Sequence, residues 1–258
     1  MSNHYSLSGK VAIVTGGSGT LGSAISKAYL DAGALVVLVG RSAKKLAEVR
    51  AKLGVQDRVM SIVADVADAD QINAMVASVI EHKGQIDILV TAAGIQHRSP
   101  ALTFDHVHWN EVIKVNLTGT FYCAQSVARH MVQRQSGRII MITSLTSEIG
   151  IPNISAYAAS RGGIRQLAKT LAVEFAPYGV TVNCVGPGRF LTSMTADVFK
   201  DETKAKRFLD VIPMGRPGLP EDLAGICVFL ASDASSYITG QSFYVDGGWL
   251  AGGGNILG

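Results

Sequence analysis

Val11-Ala-Ile-Val-Thr15 runs directly into Gly16-Gly-Ser-Gly-Thr-Leu-Gly22, and a helical apolar pattern then continues to Asp31. The first five residues are apolar and β-branched, as a strand covered on both faces requires. Gly17, Gly19 and Gly22 satisfy G-x-G-x-x-G, which alone is a weak signal. Between a strand and a helix it gains a mechanism. A glycine turn lets backbone N–H groups approach a pyrophosphate at the positive end of the helix dipole. Gly16, Ser18, Gly19, Thr20, Leu21 and Gly22 are therefore candidate dinucleotide contacts.

The same alternation extends along the chain. Val11–Thr15, Leu35–Val39, Arg58–Val63, Ile86–Val90, Arg138–Thr143, Thr181–Val185 and Ser242–Val245 read as strands. Leu21–Asp31, Asp70–His82, Trp109–Gln133, Ser155–Phe175 and Glu221–Leu230 carry helical periodicity. Gly33, Gly84, Gly137 and Gly179 follow helical patterns, where left-handed caps are expected. Strand–helix alternation with right-handed crossovers predicts an α/β fold: one Rossmann-type, doubly wound parallel sheet of about seven strands, with helices on both faces. Residues 1–258 read as one domain. Gly186–Pro220, with four prolines, interrupts the alternation and reads as a substrate lid.

Composition excludes several classes. A net charge of +3 without a dense Lys/Arg run leaves no nucleic-acid footprint. No apolar run approaches the roughly 20 residues needed to span a bilayer, and Met1–Lys10 lacks the apolar core of a signal peptide. Cys123, Cys184 and Cys227 are isolated and without metal spacing, which suggests buried thiols in a reducing compartment. The expectation is a cytoplasmic protein binding neither membrane nor metal. His106, His108 and His130 lie on helical patterns and read as surface or packing residues.

Ser144 follows a predicted strand at the carboxyl edge, where open α/β sheets bind ligands. Tyr157 and Arg161 are four apart on a predicted helix and share a face. A phenol has a reference pKa of about 10, and a neighbouring cation favours its ionised form. Asn116, a polar amide inside a helical pattern, needs a partner if buried. It can serve the reaction or simply be a satisfied core asparagine.

Ser144 and Tyr157-Ala-Ala-Ser-Arg161 resemble the active site of the short-chain dehydrogenase/reductase family, whose pattern is Ser followed by Tyr-x-x-x-Lys. The resemblance covers nearly the whole chain, through Thr15-Gly16 and Gly22, Asp65-Val66, Ala93-Gly94, Asn116, and Pro187-Gly188-x-x-x-Thr192. It implies that Tyr157 is the acid/base and that Ser144 bonds the substrate oxygen. Asn116 would belong to a proton relay, and Arg161 would stand in the lysine position. Asp65 and Val66 would meet adenine, while Ala93, Gly94, Tyr157, Arg161, Pro187, Gly188 and Thr192 would line the rest of the cofactor site. The chain departs from the family pattern at Thr20, Thr91 and Arg161. An arginine is always charged but cannot release a proton or match an ammonium's reach. Arg165, one turn further on, shares the face but is too distant to substitute.

About 20 positions past the glycines, Gly40-Arg41 stands where an acid would bond a ribose hydroxyl. A guanidinium pairs with a 2′-phosphate, so NADP(H) is favoured and NAD(H) is the alternative. Gly94-Ile-Gln-His97-Arg98-Ser-Pro100 and Met214–Trp249 resemble the gluconate 5-dehydrogenase branch. His97, Arg98 and Arg189 are candidates for gripping a small sugar acid, alongside Ser144. The resemblance implies alcohol–ketone interconversion and a homotetramer, with Gly252–Gly258 at a subunit contact. Two rival readings stay open: an oxoacyl or general carbonyl reductase, and a non-catalytic nucleotide-binding protein.

Overall fold

The structure, a computed structural model, describes residues 4–192, 195 and 200–252. Among the described residues there are seven strands: β1 (Val11–Thr15), β2 (Leu35–Gly40), β3 (Val59–Val63), β4 (Ile88–Thr91), β5 (Gly137–Ile142), β6 (Val180–Pro187) and β7 (Ser242–Val245). They form one parallel sheet in the order β3-β2-β1-β4-β5-β6-β7. Helices α1 (Thr20–Asp31), α2 (Ala43–Leu53), α3 (Ala69–Lys83), α4 (His106–Ile113), α5 (Gly119–Arg134), α6 (Ser155–Phe175), α7 (Glu202–Leu209) and α8 (Pro220–Ala231) accompany it.

Successive strand residues face opposite sides, which explains the unbroken apolar runs. Val11 and Ile13 of β1 join Val37 and Val39 of β2 in a core covered by α3, α5 and α6. Ala12 and Val14, with Val36 and Leu38, enter the other core beneath α1, α2 and α8. Fully buried Leu38, Ile13 and Ile25 illustrate the stabilisation, each contributing about 1.5–3 kcal/mol. Strand order reverses between β1 and β4, so a crevice opens at their carboxyl ends.

Local chemistry sets the helix limits. Asp68 caps α3 by accepting from the N–H groups of Asp70 and Gln71, and left-handed Gly84 closes it. Gly33 and Gly179 also have positive φ. Gly137 differs from expectation. It opens β5, and Gln135, with φ of 51°, forms the left-handed end of α5. Met131 explains the glycine, because a Cβ at position 137 would lie 2.3 Å from its sulfur.

Two further departures bear on the site. The Trp109–Gln133 pattern is not one α-helix, since a π turn over Lys114–Thr118 separates α4 from α5. β6 continues past Val185 through Gly186-Pro187, pairing with Tyr244 and Val245 of β7. At the base of the Gly186–Pro220 segment, Leu191 N–H donates to Gly218 O, and Gly218 N–H to Arg189 O. Residues 193, 194 and 196–199 of that segment lie outside the described residues, as does the tail from residue 253.

Candidate active site

The glycine turn is built by close backbone approach. A Cβ on Gly22 would lie 2.3 Å from Gly16 O, and one on Gly16, whose φ is +65°, would lie 2.8 Å from the Ala92–Ala93 peptide. Larger residues at these positions would drive the turn away from α1 and the β4 loop. Gly19 is the N-cap of α1, no side chain caps that helix, and no acid sits in its first turn. Its N-terminal N–H groups and positive dipole end therefore suit a phosphate. The Thr15 hydroxyl accepts from Ala93 N–H at 3.3 Å and fixes the facing loop. Thr15 carries part of the family resemblance, but its bond to the loop after β4 has no local signature in the sequence.

Ser18 and Gly40 touch at the end of β2: a Cβ on Gly40 would lie 3.3 Å from the Ser18 hydroxyl oxygen. Arg41, just beyond, is exposed and makes no hydrogen bond or ion pair among the described residues. Across the crevice Asp65 accepts from Ala67 N–H, and buried Val66 packs under Gly119. The glycine cradle, the uncapped helix and the free cation fit a phosphate-bearing dinucleotide.

Asn116 lies in the π turn, fully buried, and its amide is satisfied. Oδ1 accepts from Ile95 N–H at 2.8 Å, while Nδ2 donates to Ile95 O and to Ser160 Oγ, both at 3.0 Å. One side chain thus clamps the loop after β4 to α6. π turns are commonly found at functional sites. The carbonyl of Asn116 accepts the Thr120 hydroxyl at 2.7 Å.

Ser144 follows β5 and heads the turn Leu145–Ser147, its Oγ accepting from Thr146 N–H at 3.2 Å. Tyr157 and Arg161 lie on α6. The Arg161 guanidinium lies over the Tyr157 ring, 4.8 Å from the centroid. Its Nη1 donates to Ile142 O at 2.9 Å, two residues before Ser144. Its Nη2 packs on Gly94, where a Cβ would approach to 2.3 Å. The side chain is only 5% exposed, and Nε has no partner. Arg161 thus joins the β4 loop, the end of β5 and the tyrosine. Arg165 is not part of that group: its Nε lies 3.0 Å from a Glu148 carboxylate oxygen.

His97 is drawn into an aromatic cluster, stacked on His108 at 4.0 Å and edge-on to Phe104 at 5.5 Å. His108 also pairs with Asp105. Arg98 is exposed. Arg189 is sandwiched between Phe208 and Trp249, at 4.3 and 4.5 Å, and donates to the carbonyls of Arg207 and Phe208. Burial, and then the charge of Arg98, pull Arg189 below the ordinary guanidinium range. Two cations close enough for one to act on the other suit an anion. Pro187 ends β6 and Gly188 follows it, with Gly188 N–H donating to Val245 O at 2.9 Å, and Thr192 bonds Thr195. A cavity of about 380 Å³ beside Arg189 and Arg216 touches none of Ser144, Tyr157 or Gly94.

Comparison with known proteins finds similarity over nearly the whole chain. Residues 17–250 match the family described as enoyl-(acyl carrier protein) reductase. A gluconate 5-dehydrogenase of Gluconobacter oxydans is 38% identical over 245 residues, covering 95% of this chain and 96% of that protein. A 2-dehydro-3-deoxy-D-gluconate 5-dehydrogenase of Dickeya dadantii is 37% identical, covering 96% and 98%. Among solved structures, a gluconate 5-dehydrogenase of Burkholderia cenocepacia in complex with NADP and tartrate superposes with a TM-score of 0.92. It is 36% identical, with 96% and 98% of the two chains covered.

Proposed function

Because this chain belongs to the short-chain dehydrogenase/reductase family, we propose that it is an NADP(H)-preferring oxidoreductase interconverting an alcohol and a ketone on a small sugar acid, with gluconate and 5-ketogluconate as the leading pair. The observation that carries the reading is Arg161, which lies over the Tyr157 ring, donates to Ile142 O two residues before Ser144, and packs on the Gly94 loop.

When bound, NADP(H) supplies or accepts the hydride. Gly16, Ser18, Gly19, Thr20, Leu21 and Gly22 would hold its pyrophosphate, and Arg41 its 2′-phosphate. Asp65 and Val66 would hold the adenine end; Ala93, Gly94, Pro187, Gly188 and Thr192 would line the nicotinamide end. Tyr157 gives a proton to the carbonyl oxygen during reduction and takes it back during oxidation. Ser144 donates a hydrogen bond to that oxygen and fixes its position. Arg161 holds a permanent positive charge over the tyrosine ring, 4.8 Å from its centroid. Because a guanidinium does not release a proton, the proton must leave Tyr157 by another route. Asn116 keeps the β4 loop and α6 in register.

Arg98 and Arg189 would grip the substrate carboxylate, with His97 beside them and Gly186–Pro220 as the lid. The charge of Arg98 acting on Arg189 supports this, and so does the tartrate carried by the Burkholderia structure. Exposed Val107, Trp109 and Val173 on α4 and α6 support a homotetramer, and three buried free thiols suit the cytoplasm. Tyr157→Phe tests the assignment. Turnover should vanish while NADPH binding, read by fluorescence, is retained. Intact turnover would remove Tyr157 from the mechanism.

A further inference from the structure

Glu148 closes the turn that Ser144 opens. Its N–H donates to Leu145 O at 3.0 Å, and Ile149 N–H reaches the same carbonyl at 3.2 Å. Its carboxylate leaves the turn and meets two other segments. Oε1 accepts the Tyr244 hydroxyl at 2.7 Å and lies 3.0 Å from Arg165 Nε. The arginine contact is a close ion pair without hydrogen-bond alignment.

Each partner belongs to an element that carries site residues. Arg165 is one turn beyond Arg161 and two beyond Tyr157 on α6, so it shares their face. Tyr244 pairs with Gly186 across β6 and β7. Its ring fills the space a side chain would take, since a Cβ on Gly186 would lie 2.4 Å from a ring carbon. Gly186 immediately precedes Pro187 and Gly188. Burial, and then the bond to Glu148, raise the Tyr244 phenol, so it remains a donor. One carboxylate therefore ties together the serine turn, the tyrosine helix and the strand end at the proposed nicotinamide pocket.

We infer that Glu148 is a positioning residue: through Tyr244 and Arg165 it fixes the Ser144 turn against α6 and the end of β6. The inference rests on the dehydrogenase reading for its kinetic consequence, but not for its structural one. Glu148 and Arg165 are each about a third exposed, at 30% and 33%. Solvent screening keeps such pairs weak contributors to stability, so the consequence falls on geometry. Misplacing a reacting group by about 1 Å can cost roughly a hundredfold in rate.

The test compares the full-length wild type with Glu148→Ala, Glu148→Gln and Tyr244→Phe. Hydrogen exchange is followed at the amides of Ser147, Glu148 and Ile149, alongside NADPH affinity, kcat and KM. In Glu148→Ala, exchange in the turn should quicken by about tenfold or more. kcat should fall at least about tenfold, with NADPH affinity and KM little changed. Glu148→Gln, which still accepts from Tyr244, should recover part of both. If Glu148→Ala does not fold, Glu148→Gln and Tyr244→Phe carry the comparison, each expected to show a smaller change of the same kind. Unchanged exchange in the turn overturns the inference, as does a lower Tm with kcat intact. An inactive wild type would instead strike the dehydrogenase reading, while the exchange result still decides whether Glu148 holds the turn.

Discussion

Replacing Asn116 with alanine removes one side chain and three hydrogen bonds. The residue is fully buried. Its amide pairs with both the N–H and the C=O of Ile95, and with the Ser160 hydroxyl. Ser160 keeps its bond to Tyr157 O at 2.7 Å, so its loss is small. The two Ile95 backbone groups are left without their partner in a half-buried loop. Each costs about 1–3 kcal/mol, the lower end applying because water can partly reach them. Loss of the buried side chain adds about 1 kcal/mol. The sum is roughly 3 kcal/mol, a large share of the 5–15 kcal/mol typical of a native domain. The assay is urea unfolding without cofactor at one fixed protein concentration, because subunit association would otherwise move the midpoint. A loss below about 1 kcal/mol would refute the clamp argument.

Arg41→Asp removes a cation free to pair and adds a charge repelling a 2′-phosphate. The ratio of NADPH to NADH affinity should fall at least about tenfold, and an unchanged ratio would sink the 2′-phosphate assignment. Burial pushes the thiols of Cys123, Cys184 and Cys227 up to about 12. They are protonated well below that value, so the native protein at pH 8 should show no thiol reactive towards Ellman's reagent over minutes. All three should react in denaturant, and rapid native labelling would contradict their burial.

Much of this fold could be read locally. Strands covered on both faces produce apolar runs, so β1 and β2 announce themselves, and the Gly16–Gly22 turn is punctuated by residues few other structures require. α2 is quieter. Only Leu46 and Leu53 are buried in it, and its many charges dilute the periodicity. The π turn leaves little trace, because one extra residue per turn barely disturbs an apolar pattern, whereas its cause lies in the bonds from Asn116 to Ile95, 21 positions away. Gly186-Pro187 looks like a strand stop, yet the ladder continues because β7 pairs alongside. Ser144, Tyr157 and Arg161 could be picked out by spacing. Glu148 could not, because its hydrogen-bond partner Tyr244 lies 96 residues away.

The central claim is that an arginine in the lysine position supports the chemistry. It is tested most directly by NADPH and NADH absorbance assays on 5-ketogluconate, related keto acids and simple ketones, with wild type and Arg161→Lys side by side. The account predicts wild-type turnover of the keto acids with NADPH preferred, the buried guanidinium supplying the charge Tyr157 needs. Turnover appearing only in the lysine variant would contradict it, leaving a folded protein whose arginine disables the reaction.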